Sequence, residues 1–108
     1  MTDHEGVPVA VVSGEVDFGT APRLRDAVVK VATDGARLAV VDLSEVQFLD
    51  STGLGVLVAC LKRFRSLGGD LRLVVTSDRV RNVFEITGLT TAFGIHETVA
   101  AAVAQDRR

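Results

Sequence analysis

The chain has 108 residues, 47% of them hydrophobic and 24% charged, with a net charge of −2, which fits one domain around a single core. The slight acidic surplus speaks against a nucleic-acid binder, which would carry a basic stripe. No run of about 20 apolar residues suggests a membrane span, and no signal-peptide pattern is present.

Residues 1–6 are polar and expected to fray. Val7–Ser13 is a β-branched run that predicts a strand, with Pro8 suited to an edge or to the strand's first residues. Gly14-Glu15-Val16-Asp17 continues or closes that strand and leaves Asp17 in a strand-end loop. Thr20-Ala21-Pro22 reads as a helix start, a threonine cap with proline in the first turn. Leu24, Ala27, Val28 and Val31 follow at helical spacing, and Asp34-Gly35 ends the helix. Leu38–Leu43 is short and almost wholly apolar, as expected of a strand buried inside a sheet.

A second helix is predicted after Ser51, with Leu54, Leu57, Val58, Leu61 and Phe64 inward. Its outward side in the first two turns then holds Val56, Ala59 and Cys60, turns charged from Lys62-Arg63 onward, and ends at Gly68-Gly69. An apolar outward half beside a loop hydroxyl resembles a docking surface. Leu71–Val75 is the next strand, interrupted by Arg72. Ser77 or Asp78 caps a shorter helix that turns Val80, Val83, Phe84 and Ile86 inward and closes at Gly88. Phe93–Ile95 is a brief strand, and a last helix spans 97–105 with Val99, Ala102 and Val103 inward; residues 106–108 form a flexible tail. Strands alternating with helices of this length imply an α/β layer structure with a mostly parallel sheet.

The stretch Phe48-Leu49-Asp50-Ser51-Thr52-Gly53-Leu54-Gly55 carries the chemistry. Ser51, or Asp50 beside it, can accept a hydrogen bond from the N–H groups that open the helix, and capping stands ahead of any reaction. A small hydroxyl pointing out of a first turn, among carboxylate and apolar surface, is also a plausible phosphoacceptor. A serine hydrolase is excluded, because Leu49-Asp50-Ser51-Thr52-Gly53 lacks the Gly-x-Ser-x-Gly elbow and no histidine base is well placed. A phosphate-binding loop is excluded too, since Gly53-Leu54-Gly55 has no third glycine and no Gly-Lys-Ser/Thr ending. Asp17 and Asp50 could meet as an acid/base pair at one end of a parallel sheet. The plainer reading, a turn residue and a cap, carries more weight. Cys60 is the lone cysteine, a small helix hydrophobe that fits a reducing cytoplasm. His4 and His96 lie far apart with no cysteine cluster, so no metal site is expected.

These residues resemble the STAS domain, and within it the anti-sigma factor antagonists of bacteria. The resemblance rests on Gly14-Glu15-Val16-Asp17 with Thr20-Ala21-Pro22, on Val41-Asp42-Leu43, and on the string Phe48 to Leu57. Leu71-Arg72-Leu73-Val74 and Phe84-Glu85-Ile86-Thr87-Gly88-Leu89 complete it, over roughly residues 7–104 of a single domain spanning 1–108. It implies a small mixed, mostly parallel sheet with helices packed around it. It also implies phosphorylation of Ser51, with Thr52 as alternative, by an anti-sigma factor serine kinase. The unphosphorylated form binds that kinase and frees the sigma factor; the phosphorylated form does not bind. A PP2C-type phosphatase resets it. Asp17, Asp50 and Gly53 would form the surroundings of the phosphosite, and Thr52, Leu54, Gly55, Val56 and Ala59 would touch the partner. The chain would be no enzyme and hold no cofactor, ATP belonging to the kinase, and would be cytoplasmic and monomeric when free. The alternative within the resemblance is a scaffold or nucleotide-sensing module of a larger signalling assembly. The family also carries an extra N-terminal strand antiparallel to the one around Val9–Val12; with only residues 1–5 to supply it here, it is either very short or truncated.

Overall fold

A computed structural model describes residues 1–104. Its five strands are β1 (Thr2–His4), β2 (Val7–Val16), β3 (Leu38–Leu49), β4 (Asp70–Val74) and β5 (Gly94–His96), and they lie side by side in that order. β1 runs antiparallel to β2, and the other neighbours are parallel. The helices are α1 (Ala21–Thr33), α2 (Ser51–Ser66), α3 (Asp78–Ile86) and α4 (Val99–Ala104), with a 3-10 turn at Leu89–Thr91. This is the expected mixed, mostly parallel α/β layer structure.

Alternation along the strands assigns the two faces. Ala39, Val41 and Leu43 of β3 and Leu71 and Leu73 of β4 pack with α1, α2 and α3 in the main core. Val9, Val40 and Val74 point the other way, against Ala102 and Val103 of α4. Arg72 lies on that second face and is only 4% exposed. Its Nη1 donates to the carbonyl of Ala102 at 3.0 Å and its Nε stands 3.4 Å from Asp70 Oδ2, so the interrupting arginine fastens α4 to the sheet. Phe84 and Phe93 meet edge to face, with centroids 5.7 Å apart.

Several expectations need correction. Thr2–His4 do not fray: they pair with Val7–Val9 as a three-residue N-terminal strand antiparallel to β2. β3 runs on to Leu49, six residues past Leu43. Val11 pairs with Asp42 but Ser13 with Glu45, and Gly14 with Val46 but Glu15 with Phe48. Each slip adds one residue to β3, so the buried positions step from Leu43 to Val46 to Leu49, which period-2 reading does not detect. Thr20 stands at the N-cap of α1, but its side chain makes no cap bond. Cys60 is buried rather than outward, and burial pushes its thiol pKa up against the opposing pull of Arg25. Ile86 is 76% exposed, because α3 turns Val80 and Phe84 to the core and Ile86, two residues after Phe84, falls on the opposite side of the helix. β5 begins one residue later than expected and α4 begins at Val99. The expected end of that helix at Gln105 and the tail at 106–108 lie outside the described residues.

Candidate functional site

β2 and β3 end together, with Val16 paired to Leu49, and the N–H of Asp50 donates to the Val16 carbonyl at 3.1 Å. The loop starting at Asp17 and the first turn of α2 therefore leave the sheet side by side. Gly53 explains how closely they pack. A Cβ at Gly53 would stand 2.7 Å from the Val16 carbonyl oxygen, 2.7 Å from Val16 Cγ1 and 2.8 Å from Leu49 Cδ1. Only a glycine lets the start of α2 sit directly on the end of β2.

Asp50, in extended conformation, is the N-cap of α2, and its Oδ1 accepts from the Gly53 N–H at 2.9 Å. This settles which of the two candidate caps is used. Ser51 is the first helical residue, it is exposed, and its hydroxyl has no hydrogen-bond partner among the described residues. Thr52 is exposed beside it. The first N–H groups of a helix have no intrahelical acceptor, so an anion on Ser51 meets donors and the positive end of the helix dipole.

Asp17 lies at the same end of the sheet but is bound into its own loop. Its Oδ1 accepts from the N–H groups of Gly19 at 2.9 Å and Thr20 at 3.1 Å. The Thr20 hydroxyl accepts from the Asp17 N–H at 3.0 Å, and its single proton is shared between the Glu15 carbonyl at 2.9 Å and Asp17 Oδ1 at 3.2 Å. Asp17 and Asp50 thus each satisfy local backbone donors, as a turn residue and a cap do. Thr20 is the loop clasp that sequence reading took for a helix cap. Because asparagine keeps the accepting oxygen and loses only the charge, Asp17→Asn is expected to leave stability within about 0.5 kcal/mol of the parent in a thermal melt. Partner association should slow by up to about tenfold, as measured by surface plasmon resonance, because the Asp17 charge stands at the same end of the sheet as Ser51.

The outward side of α2 is less open than expected. Leu54 is a core residue, as its inward place on the helix predicted, while Val56, expected outward, is half-buried and packs on the core. Gly55 and Ala59 are exposed, and a Cβ at Gly55 would meet no atom within 4 Å. Two other apolar groups stand out at this end of the sheet, Phe18 at 78% exposed and Phe48 at 47%. A phenylalanine inside a polar loop was the available signal for Phe18. One groove of about 320 Å³ runs between β2 and α1, and a polar notch of about 480 Å³ lies beside the start of α3. Neither includes Ser51, which stands on an open edge suited to a protein surface.

No group of His, Cys, Asp and Glu among the described residues could hold a metal, and no helix there is long and apolar enough to cross a membrane.

A mixed sheet ending in a glycine-seated helix with an exposed serine at its first position defines the class. The STAS domain family model matches residues 1–102, and the chain belongs to that family. Within it, the chain is similar to the anti-sigma-B factor antagonist of Bacillus subtilis, 44% identical over 78 residues that make up 72% of this chain and 71% of the relative. The anti-sigma-B factor antagonist of Staphylococcus aureus is 38% identical over 86 residues, 80% of each chain. Among solved structures, an anti-sigma factor antagonist from Mycobacterium paratuberculosis superposes with a TM-score of 0.89 at 36% identity, over 99% of this chain and 91% of that one.

Proposed function

We propose that this chain is an anti-sigma factor antagonist switched by phosphorylation of Ser51. One observation carries the reading: Asp50 already caps α2, which leaves the exposed Ser51 hydroxyl with no structural duty. The names of the relatives support the same class of function. In this reading the chain is a regulatory binder and no enzyme. An anti-sigma factor serine kinase in the cytoplasm brings the ATP, binds the unphosphorylated form and surrenders its sigma factor. A PP2C-type phosphatase restores the hydroxyl. Thr52, Gly55 and Ala59, with the half-buried Val56, offer the kinase its footing, while the buried Leu54 supports them from beneath. The free chain is a monomer.

The experiment is capture of the kinase from the host on immobilised chain, followed by addition of ATP. The switch requires release on ATP, with one phosphate located on Ser51 by mass spectrometry of the peptide. A scaffold or nucleotide-sensing module would stay bound and unmodified, and that result would end the proposal.

A further inference from the structure

α4 covers only half of its face of the sheet. It packs on Val9, Val40 and Val74, and from the next paired residues onward that face is bare. The pairs Val11 with Asp42, Ser13 with Glu45, and Glu15 with Phe48 follow toward the end of the sheet that carries Ser51. Paired residues on neighbouring strands share a face. Five of these six are exposed and Asp42 is half-buried, with Val11 at 48% and Phe48 at 47%. These pairs bring three carboxylates and no cation. Two cations border them: Arg23 lines the groove with Val11, Ser13 and Glu15, and Arg79 lines the notch with Glu45.

A valine and a phenylalanine framed by three acids make an anchor-and-rim surface whose charge selects its occupant. A second copy of this chain is disfavoured, because three carboxylates would face three with only the bordering Arg23 and Arg79 to offset them. We infer that this half-face is a second foothold for the anti-sigma factor, which grips it with a cationic surface carrying an apolar anchor for Phe48. The inference rests on the reading of Ser51 given above, and it follows from position: Phe48 stands two residues before Asp50, so a partner seated over Ser51 reaches round the sheet end to this face. The contact lies across the sheet from α2, and phosphorylation leaves it intact.

The test measures binding of the full chain to the purified cognate kinase by calorimetry, at low and at high salt. Phe48→Thr keeps a strand-forming residue and is expected to weaken binding about tenfold or more. Glu45→Lys is expected to do the same at low salt, with the loss shrinking as salt rises. Glu85→Lys makes the same change in net charge on exposed α3, away from the face, and should bind within about twofold of the parent. Thermal melts of all variants establish that they fold. If Phe48→Thr and Glu45→Lys bind like the parent while Ser51→Glu does not, the second foothold is overturned and the phosphoswitch stands. If Ser51→Glu also binds like the parent, the reading of Ser51 falls and takes this inference with it.

Discussion

Ser51→Glu is expected to lose the kinase by about a hundredfold or more while melting at nearly the parent temperature, whereas Ser51→Ala should bind constitutively and refuse phosphate. The two halves of this result come from different free energies. In the isolated chain a negative group at the first position of α2 meets unsatisfied N–H donors and the helix dipole, a favourable term of about 0.3–1 kcal/mol. Ser51 spends no hydrogen bond on the cap, since Asp50 holds the Gly53 N–H, so either substitution removes nothing that supports the fold. In the complex the same charge must be stripped of water against the partner, with the Asp50 carboxylate adjacent. An unpaired buried charge costs several kcal/mol even after relaxation, and each 1.4 kcal/mol is a factor of ten in affinity. The interface term exceeds the dipole term several-fold, so release wins. Calorimetry on both variants reads the affinities and a thermal melt reads the fold. Stoichiometric phosphorylation of Ser51→Ala by the kinase would move the acceptor to Thr52.

Asp50 supplies the complementary control in the same reasoning. It, and not Ser51, is the residue whose removal should weaken the helix, by about 1 kcal/mol for loss of an N-cap. The switch residue and the structural residue are adjacent in the chain and separate in duty. That separation allows the hydroxyl to be modified without disturbing the fold that presents it.

The sequence made the central strands, the helix after Ser51 and the phosphosite legible, because each is written in local pattern. Contiguous apolar residues mark the first part of β3, and an acid before a hydroxyl and glycines marks a helix start. What it hid depends on contacts between distant residues. The second half of β3, past Leu43, shows no period-2 pattern, since two register slips move its buried positions to every third residue, and only pairing with β2 shows them. Cys60 looked outward on a helical wheel, yet α2 packs in a layer with α1 as well as on the sheet, so a wider arc of the helix is buried. Thr20 looked like a cap because the residue types were right, while its hydroxyl turns back to Glu15 and Asp17. β1 is three residues long and polar; its order comes from pairing with β2 rather than from its own composition.

The glycines of the first turn make a sharper case, because the same substitution two residues apart should have opposite signs. Gly55→Ala places a methyl where no atom lies within 4 Å, on an exposed helical position. It removes unfolded-state freedom and improves helix propensity, and should raise stability by about 0.5–1 kcal/mol. Gly53→Ala gains at most the same propensity. Its methyl, however, would lie 2.7 Å from the backbone oxygen of Val16, which cannot rotate away, as well as against Val16 and Leu49 side chains. Overpacking of this kind costs about 1–3 kcal/mol, so the clash outweighs the gain and the net change is destabilising by about 1–2 kcal/mol. For a domain of this size that is a fall of about 5–10 °C in Tm. The cheapest relaxation tilts the first turn of α2 off the end of β2 and lengthens the Asp50 N–H to Val16 carbonyl bond, now 3.1 Å. Ser51 rides on that turn. Gly53→Ala should therefore lower the rate of phosphate transfer to an unaltered Ser51, even at temperatures where the variant is fully folded, while Gly55→Ala should melt higher and remain folded throughout the assay. Differential scanning calorimetry and a timed kinase assay on the two variants decide it, and equal Tm changes of the same sign would show that Gly53 has room the packing does not suggest.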